Sequence, residues 1–184
     1  MGVVLINGSP RKEGCTYTAL KEVAGELEKA GLETQIIQAS MNPDDIESAA
    51  TLVRSSDALV VGSPVYYASA SGLCTYFLDE LFIRAGHDLR LKPAAAIVSC
   101  RRGGASATFD QINKYFMISQ MVVVSSNYWN QVHGNTPDEV LKDEEGMQTM
   151  RILGRNLAYV IKSFNSYEGS LPAEERKIKT NFIR

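Results

Sequence analysis

The chain has 184 residues, which is the length of one ordinary domain with a substantial core. Its hydrophobic fraction of 45% and charged fraction of 22% are close to globular averages, which excludes a disordered chain and a coiled coil. The net charge of -2 is spread without a long block of either sign, so nucleic acid and anionic membranes are not expected partners. These properties favour a partner that is a small molecule.

The N-terminal sequence and the three cysteines favour a reducing compartment. The apolar run in MGVVLINGSP is too short for a signal peptide and lacks a basic leader, and no later run approaches a membrane-spanning length. The three cysteines, Cys15, Cys74 and Cys100, are far apart and form no C-x-x-C pair, so neither a disulfide scaffold nor a metal site is expected. We therefore expect a cytoplasmic protein.

Strand and helix patterns alternate along the chain. Short apolar runs predict five strands, Val3–Asn7, Glu33–Gln38, Ala58–Ser63, Ala94–Ser99 and Met121–Ser125. Amphipathic stretches predict helices at Thr16–Ala30, Pro43–Ser55, Ala70–Ala85, Ala105–Ile118 and Asp138–Phe164. Because crossover helices force their strands parallel, we expect a three-layer α/β/α fold with a five-stranded parallel sheet, in the order 2-1-3-4-5.

That order places a ligand crevice at the carboxyl ends of the strands, beside the first and third. Residues 1–164 are expected to form this domain. The tail, residues 165–184, either frays or docks on a second subunit.

The loop after the first strand, GSPRKEGCT, leads directly into a helix and is a candidate anion site. Ser9, Thr16 and Thr18 can donate hydroxyl hydrogen bonds, and Arg11 or Lys12 can neutralise a phosphate. The letters match neither a Walker loop nor G-x-G-x-x-G, and no cysteine is followed by the arginine of a cysteine phosphatase. The alternative is a tight turn whose polar residues only cap the helix.

Two further loops could bind a flat ring. GSPVYYASASG follows the third strand, and Val65, Tyr66 or Tyr67 could lie against the ring, although one tyrosine is expected to pack on the next helix instead. SCRRGG follows the fourth strand and repeats the pattern of donors, positive charge and glycine, with Arg101 or Arg102 either near the ring or simply solvated.

These three segments together resemble the NADPH-dependent FMN reductase family of the flavodoxin superfamily, and the match spans most of the chain. The resemblance implies FMN rather than FAD as the cofactor, NAD(P)H as the electron donor, and a homodimer or homotetramer. It implies cofactor contacts from Ser9, Arg11, Cys15 and Thr16 to the phosphate, from Pro64, Val65, Tyr66 and Tyr67 to the isoalloxazine, and from Ser99, Arg102, Gly103 and Gly104 in the remaining loop.

Two departures from the family qualify this resemblance. Cys15 stands where many members have asparagine, which leaves its side-chain contact with the phosphate open. Beside a helix N-terminus its thiol pKa could be lowered, but a packing role fits better. Several members carry a cysteine-rich segment that binds an iron–sulfur cluster, whereas Met41–Ser56 contains no cysteine, so an iron–sulfur flavoprotein is not expected.

The expected function is the transfer of electrons from NAD(P)H through FMN to a small acceptor such as a quinone, a nitro or azo compound, a flavin or a ferric chelate. The alternatives are an electron-transfer flavodoxin and a flavin-free descendant. His87 and His133 lie in no metal-spaced cluster, and the segment Asn127–Gln131, which includes Trp129, is a candidate wall of the substrate pocket.

Overall fold

The computed structural model describes residues 1–180 and 182, so the remaining part of the predicted tail, at positions 181, 183 and 184, lies outside the described residues. The strands are β1 Gly2–Asn7, β2 Glu33–Gln38, β3 Ala58–Tyr66, β4 Ser69–Ala70, β5 Pro93–Cys100, β6 Val122–Val123 and β7 Gln131–His133. The helices are α1 Cys15–Lys29, α2 Pro43–Ser55, α3 Gly72–Ala85, α4 Ala105–Ile118, α5 Pro137–Val140 and α6 Glu144–Asn165, with a 3-10 turn at Gly86–Leu89.

The sheet confirms the predicted topology. Its path is β2-β1-β3-β5-β6, which is the order 2-1-3-4-5 when the short hairpin strand is left out, and every pair along this path is parallel. In the central register Leu5 lies between Ile36 and Val60. The first and third strands are therefore neighbours, and their carboxyl ends open at the same edge.

Alternate residues of the strands build two cores, one on each face of the sheet. Leu5 and Val60 pack with residues of α1 and α6, whereas Ile6 and Val61 pack with residues of α2, α3 and α4. Every residue of β5 is buried, as expected for a strand that is covered on both faces. Two helical layers around one sheet give the three-layer arrangement.

The fifth strand differs from the prediction. Instead of one strand over Met121–Ser125, β6 pairs with the start of β5 and β7 pairs with its end. Between them the chain leaves the sheet, and the buried Asn130 side chain donates from Nδ2 to the carbonyl of Ala96 at 3.0 Å. A side chain thus replaces the backbone pairing in the middle of β5, which apolar periodicity cannot reveal.

Side-chain caps explain why two helices begin at other residues than the sequence predicted. The helix predicted to start at Ala70 starts at Gly72, because the Ser71 hydroxyl accepts a hydrogen bond from the Cys74 N–H at 3.1 Å. The predicted last helix is two helices, because an Asp143 carboxylate oxygen accepts from the Gly146 N–H at 2.9 Å and starts α6 there.

The segment after α6 has no regular secondary structure in the described residues. It follows the amino-terminal side of the sheet, where Arg90 donates from Nη2 to the carbonyl of Pro172 at 2.8 Å. None of the described helices is long and apolar enough to cross a membrane.

Candidate functional site

The carboxyl ends of the strands surround a small pocket of about 170 Å³. It brings together residues from all three loops that the sequence indicated, and adds residues after β7. Its lining is Ser9, Arg11, Cys15, Thr16, Pro64, Val65, Tyr66, Ser99, Cys100, Arg101, Gly134 and Asn135.

The first loop is shaped by two side chains that the sequence analysis did not single out. Asn7, at the end of β1, is buried and donates from Nδ2 to the carbonyls of Arg11 at 3.2 Å and Lys12 at 3.0 Å. Gln38, at the end of β2, donates from Nε2 to the carbonyl of Ser9 at 2.5 Å. These bonds pair three loop carbonyls with side chains that lie outside the pocket lining. The available signal was a polar residue ending each of two neighbouring strands.

Gly8 fixes how closely the loop approaches the sheet. Its N–H donates to the carbonyl of Gly62 at 2.8 Å, and its carbonyl accepts from the Ser71 hydroxyl at 2.6 Å. A Cβ at this position would lie 2.5 Å from Cys74 Sγ and 2.8 Å from the Gly62 oxygen. Only glycine therefore fits between β3 and the start of α3.

The N-terminus of α1 lies at the pocket, because its first two residues, Cys15 and Thr16, line it. Its N-cap is Gly14, which provides no side-chain cap, and no acidic residue occupies the first turn. The Thr16 and Ser99 hydroxyl oxygens lie 2.8 Å apart and join the helix to β5. Thr18 faces back along the helix, donating to the carbonyl of Gly14, and does not line the pocket. Free amides, hydroxyls and Arg11 form a donor set suited to a phosphate.

Cys15 lies in the pocket as a neutral thiol. Its Sγ is 3.7 Å from the carbonyl of Gly134. Burial raises its thiol pKa above the ordinary value and outweighs the opposite effects of its own backbone N–H and of Arg11. The pKa depression that a helix N-terminus could cause is therefore absent, and the packing interpretation agrees with the geometry.

The second loop is a β-hairpin. The third strand continues past the predicted end at Ser63, and β3 turns into β4 through Tyr67 and Ala68, whose φ values are 52° and 58°. A two-residue turn with both residues left-handed is usually built from glycine or asparagine, so this turn is strained. Tyr66 lines the pocket, whereas Tyr67 at the tip is fully exposed and does not.

Helix α4 supports the hairpin. Gln111 accepts through Oε1 from the Ser69 hydroxyl at 2.7 Å and from the Ala70 N–H at 2.9 Å. Gly104, with φ of 90°, is so close to the turn that a Cβ there would lie 2.7 Å from Ala68 Cα. These contacts hold the strained turn in place.

The third loop presents Arg101 to the pocket, whereas its neighbours Arg102 and Gly103 are exposed outside it. Gly104 is the N-cap of α4 and, like Gly14, provides no side-chain cap. The residues alone left open which arginine would face the pocket, and the resemblance implied Arg102, which does not line it. The structure places Arg101 there.

The segment Asn127–Gln131, which was a candidate wall of the substrate pocket, does not line the pocket. Tyr128 and Trp129 are half-exposed, with ring centroids 4.7 Å apart, on the lateral edge of the sheet and outside the pocket lining. His133 Nδ1 is 3.4 Å from Cys100 Sγ. The wall is formed instead by Gly134 and Asn135, which the sequence analysis missed because it predicted no strand before them.

Comparisons with known proteins agree with this geometry. Residues 1–136 match the family model described as NADPH-dependent FMN reductase. An iron-sulfur flavoprotein of Methanocaldococcus jannaschii is 31% identical over 88% of this chain and 98% of its own length. An NADPH azoreductase of a Bacillus species is 30% identical over 58% of this chain and 64% of its own length. A solved flavodoxin from the domain Archaea superposes with a TM-score of 0.68 at 17% identity, covering 88% of this chain and 99% of that one.

The residues present do not fit the iron–sulfur cluster in the first relative's name. Among the described residues, no group of three or more His, Cys, Asp or Glu is placed to hold a metal ion. Cys74 is wholly buried, and its Sγ lies so close to Gly8 that a Cβ there would be 2.5 Å from it, which leaves no room for a cluster beside this thiol.

The donor set does fit FMN. An uncapped helix N-terminus, two hydroxyls and an arginine face one pocket beside the first and third strands, where doubly wound sheets bind their ligands. The family match covers most of the chain and agrees with the fold. The chain belongs to the NADPH-dependent FMN reductase family of FMN-binding, flavodoxin-like oxidoreductases.

Proposed function

We propose that this protein passes electrons from NAD(P)H through bound FMN to a small acceptor: a quinone, a nitro or azo compound, a flavin or a ferric chelate. The observation that carries this proposal is the uncapped N-terminus of α1, which opens into a pocket lined by Ser9, Thr16 and Arg11. When bound, FMN supplies the chemistry that accepts a hydride from a nicotinamide and passes electrons on. The protein supplies position and charge.

The phosphate is assigned to the first loop. Ser9 and Thr16 donate through their hydroxyls, the first turn of α1 donates through its N–H groups, and Arg11 neutralises the charge. Cys15 contributes its backbone N–H and packs with its neutral thiol. Thr18 supports the turn from the helix side, through its bond to the carbonyl of Gly14.

The isoalloxazine is assigned to the other two loops. Pro64, Val65 and Tyr66 line the pocket and give the ring an apolar wall. Tyr67, exposed at the hairpin tip outside the pocket lining, is assigned to the solvent side of the ring. The opposite side is assigned to Ser99 and the turn Arg102, Gly103 and Gly104. The rigid support of this hairpin by α4 favours a fixed ring position.

The charge of the chain favours the reductase over an electron-transfer flavodoxin. Such carriers usually present a strongly acidic docking face, whereas this chain has a net charge of -2 and arginines at the pocket. A flavin-free descendant would have no need of a helix N-terminus, hydroxyls and an arginine that meet at one pocket.

We also propose a homodimer or homotetramer in the cytoplasm, with the tail, residues 165–184, at a subunit interface and residues 1–164 as the FMN-binding domain. Support for the interface comes from the exposed apolar side chains of Leu171, Ile178 and Phe182. Support for the compartment comes from three free cysteines.

Binding of FMN and of riboflavin to the purified protein tests the proposal, because the two ligands differ only in the phosphate. We expect FMN to bind at least about tenfold more tightly than riboflavin. Arg11→Gln should lower FMN affinity about tenfold and leave riboflavin affinity unchanged. The control is Lys21→Gln, which removes an exposed positive charge from α1 at a position outside the pocket lining.

The FMN-loaded protein is then mixed with NADH or NADPH without oxygen. Rapid bleaching of the flavin absorbance supports the reductase. Bleaching only by dithionite supports the flavodoxin alternative, and a protein that binds neither flavin contradicts both.

A further inference from the structure

The tip of the β3–β4 hairpin combines two unfavourable backbone conformations. Tyr67 and Ala68 follow one another with φ values of 52° and 58°, whereas the other non-glycine residues with positive φ in the described part of the chain, Leu91 and Gln120, each stand alone. The left-handed region brings Cβ close to the following carbonyl oxygen, so two-residue hairpin turns of this kind favour asparagine followed by glycine. Tyrosine and alanine at the tip therefore cost the hairpin stability.

The side chain of Tyr67 makes no contact within the chain that offsets this cost. Its ring is fully exposed, and its hydroxyl makes no hydrogen bond to any described residue. None of the aromatic pairs among the described residues includes Tyr67. The preceding Tyr66, by contrast, lines the pocket. Backbone strain that packing does not offset is typical of residues that bind a ligand.

The hairpin holds Tyr67 at the rim of the pocket. Tyr67 directly follows Tyr66, and Tyr66 pairs with Ser69 on the returning strand. Gln111 of α4 accepts from the Ser69 hydroxyl at 2.7 Å, which fixes the returning strand. Because both strands are held, the tyrosine is presented to the solvent on a rigid support, which lowers the entropy cost of binding a ligand there.

We propose that Tyr67 binds the electron acceptor by stacking its ring on a planar aromatic acceptor, such as a quinone or a nitro or azo compound. The inference rests on the proposed function and names both the class of acceptor and the residue that recognises it. Aromatic rings attract one another in offset or edge-to-face arrangements, whereas a compact ferric complex has no flat apolar face. The turn keeps Tyr67 on the solvent side of the pocket lining, from which an acceptor must arrive.

Binding of 1,4-naphthoquinone to the FMN-loaded protein tests the stacking. Calorimetry without NAD(P)H measures it, because the quinone then stays oxidised. Tyr67→Asn should weaken this binding about fivefold, since the ring is lost while asparagine suits the turn. Tyr67→Phe keeps the ring and should stay within about twofold of wild type. In turnover, Tyr67→Asn should lower the ratio of kcat/KM for naphthoquinone to that for ferricyanide about fivefold, through KM rather than kcat.

The melting temperature of the flavin-free protein distinguishes this role from a structural one. Tyr67→Asn and Ala68→Gly each relieve one left-handed residue, and each should raise the melting temperature by about 3 °C. Ala68→Gly is the matched control, because it relieves the same turn, keeps the tyrosine and should leave quinone binding within about twofold of wild type. A lower melting temperature of Tyr67→Asn would mean that the tyrosine serves the fold, and would contradict the inference.

Two binding results would also overturn the inference: a Tyr67→Asn variant that keeps the wild-type affinity for naphthoquinone, or one whose FMN affinity falls more than its quinone affinity. The latter would assign Tyr67 to the flavin alone. Failure of the proposed function looks different, since the protein would then bind no FMN, or NAD(P)H would not reduce the bound flavin. The calorimetry needs no donor, and without FMN the same titration of the flavin-free protein decides whether Tyr67 binds an aromatic ring.

Discussion

The N-termini of α1 and α2 face the same edge of the sheet but use their free N–H groups differently. At α2 the Asn42 side chain accepts from the Asp44 N–H at 2.9 Å, and Asp44 and Asp45 lie in the first turn. At α1 the N-cap is Gly14, with no side-chain cap and no acid. Helix α6 follows the pattern of α2, with Asp143 as its cap, and α4 follows that of α1.

The difference separates stability from binding. A side-chain cap and first-turn acids satisfy the amides and the helix dipole from within the chain, a gain of about 1 kcal/mol. The two helices whose N-cap is glycine, α1 and α4, forgo this gain, and their first-turn amides have no side-chain partner within the chain. Both begin beside the pocket, one after the loop assigned to the phosphate and one after the loop that holds Arg101.

The largest expected effect is at Gly104, the N-cap residue of α4. Gly104→Ala should lower the free energy of unfolding by about 3 kcal/mol, because φ is 90° and the new Cβ would lie 2.7 Å from Ala68 Cα. Urea unfolding measures this. The neighbouring Gly103, which has no atom within 4 Å of a Cβ, is the control, and Gly103→Ala should stay within about 0.5 kcal/mol of wild type. Equal effects of the two would contradict the proposed close packing.

The second prediction concerns a variant in which the start of α1 carries an acidic side-chain cap and so resembles the start of α2. Gly14→Asp should weaken FMN binding at least about tenfold relative to Gly14→Ala, because the carboxylate caps the amides, repels the phosphate and can pair with Arg11. The alanine variant accounts for the tight contact, since a Cβ at Gly14 lies 3.1 Å from Arg11 Cβ. Fluorescence titration with FMN measures the ratio. Similar affinities of the two variants would argue against an anion at α1.

The third prediction concerns the loss of the side-chain cap of α2. Asn42→Ala should lower the free energy of unfolding by about 1 kcal/mol, because the Asp44 N–H loses its acceptor. The affinity for FMN should not change, since α2 contributes nothing to the pocket lining. Urea unfolding and FMN titration of the same sample measure both. A loss of FMN affinity would mean that the two helix N-termini are not independent.

The smallest effect concerns the pocket thiol. Because burial raises the pKa of Cys15 above its ordinary value, the thiol is protonated at neutral pH, and its alkylation by iodoacetamide should be slower than that of free cysteine. The rate should rise with pH through and beyond the ordinary thiol pKa, and FMN should reduce it further. Mass spectrometry identifies the modified residue. Cys74, whose pKa is raised to about 12, should remain unmodified in the folded protein.

The pattern of apolar runs was sufficient to predict most of the fold. Runs such as AAAIVS identify strands buried on both faces, and their alternation with amphipathic helices leaves few topologies, so the order 2-1-3-4-5 could be predicted. The divided fifth strand could not be predicted, because β6 and β7 have only two and three residues, and between them the Asn130 side chain bonds to Ala96 of β5 in place of a backbone pair. Gly134 and Asn135 were missed for the same reason.

For the site, the sequence by itself determined which three loops meet, since the carboxyl ends of parallel strands share one edge. It also determined the donor types, because serine, threonine, arginine and glycine before a helix suit an anion. Only the tertiary structure decided which residue of each loop faces inward. It placed Arg101 rather than Arg102 in the pocket and Tyr67 outside it, and it raised the pKa of Cys15. Side-chain direction and desolvation depend on what other parts of the chain pack nearby, and local sequence does not encode those contacts.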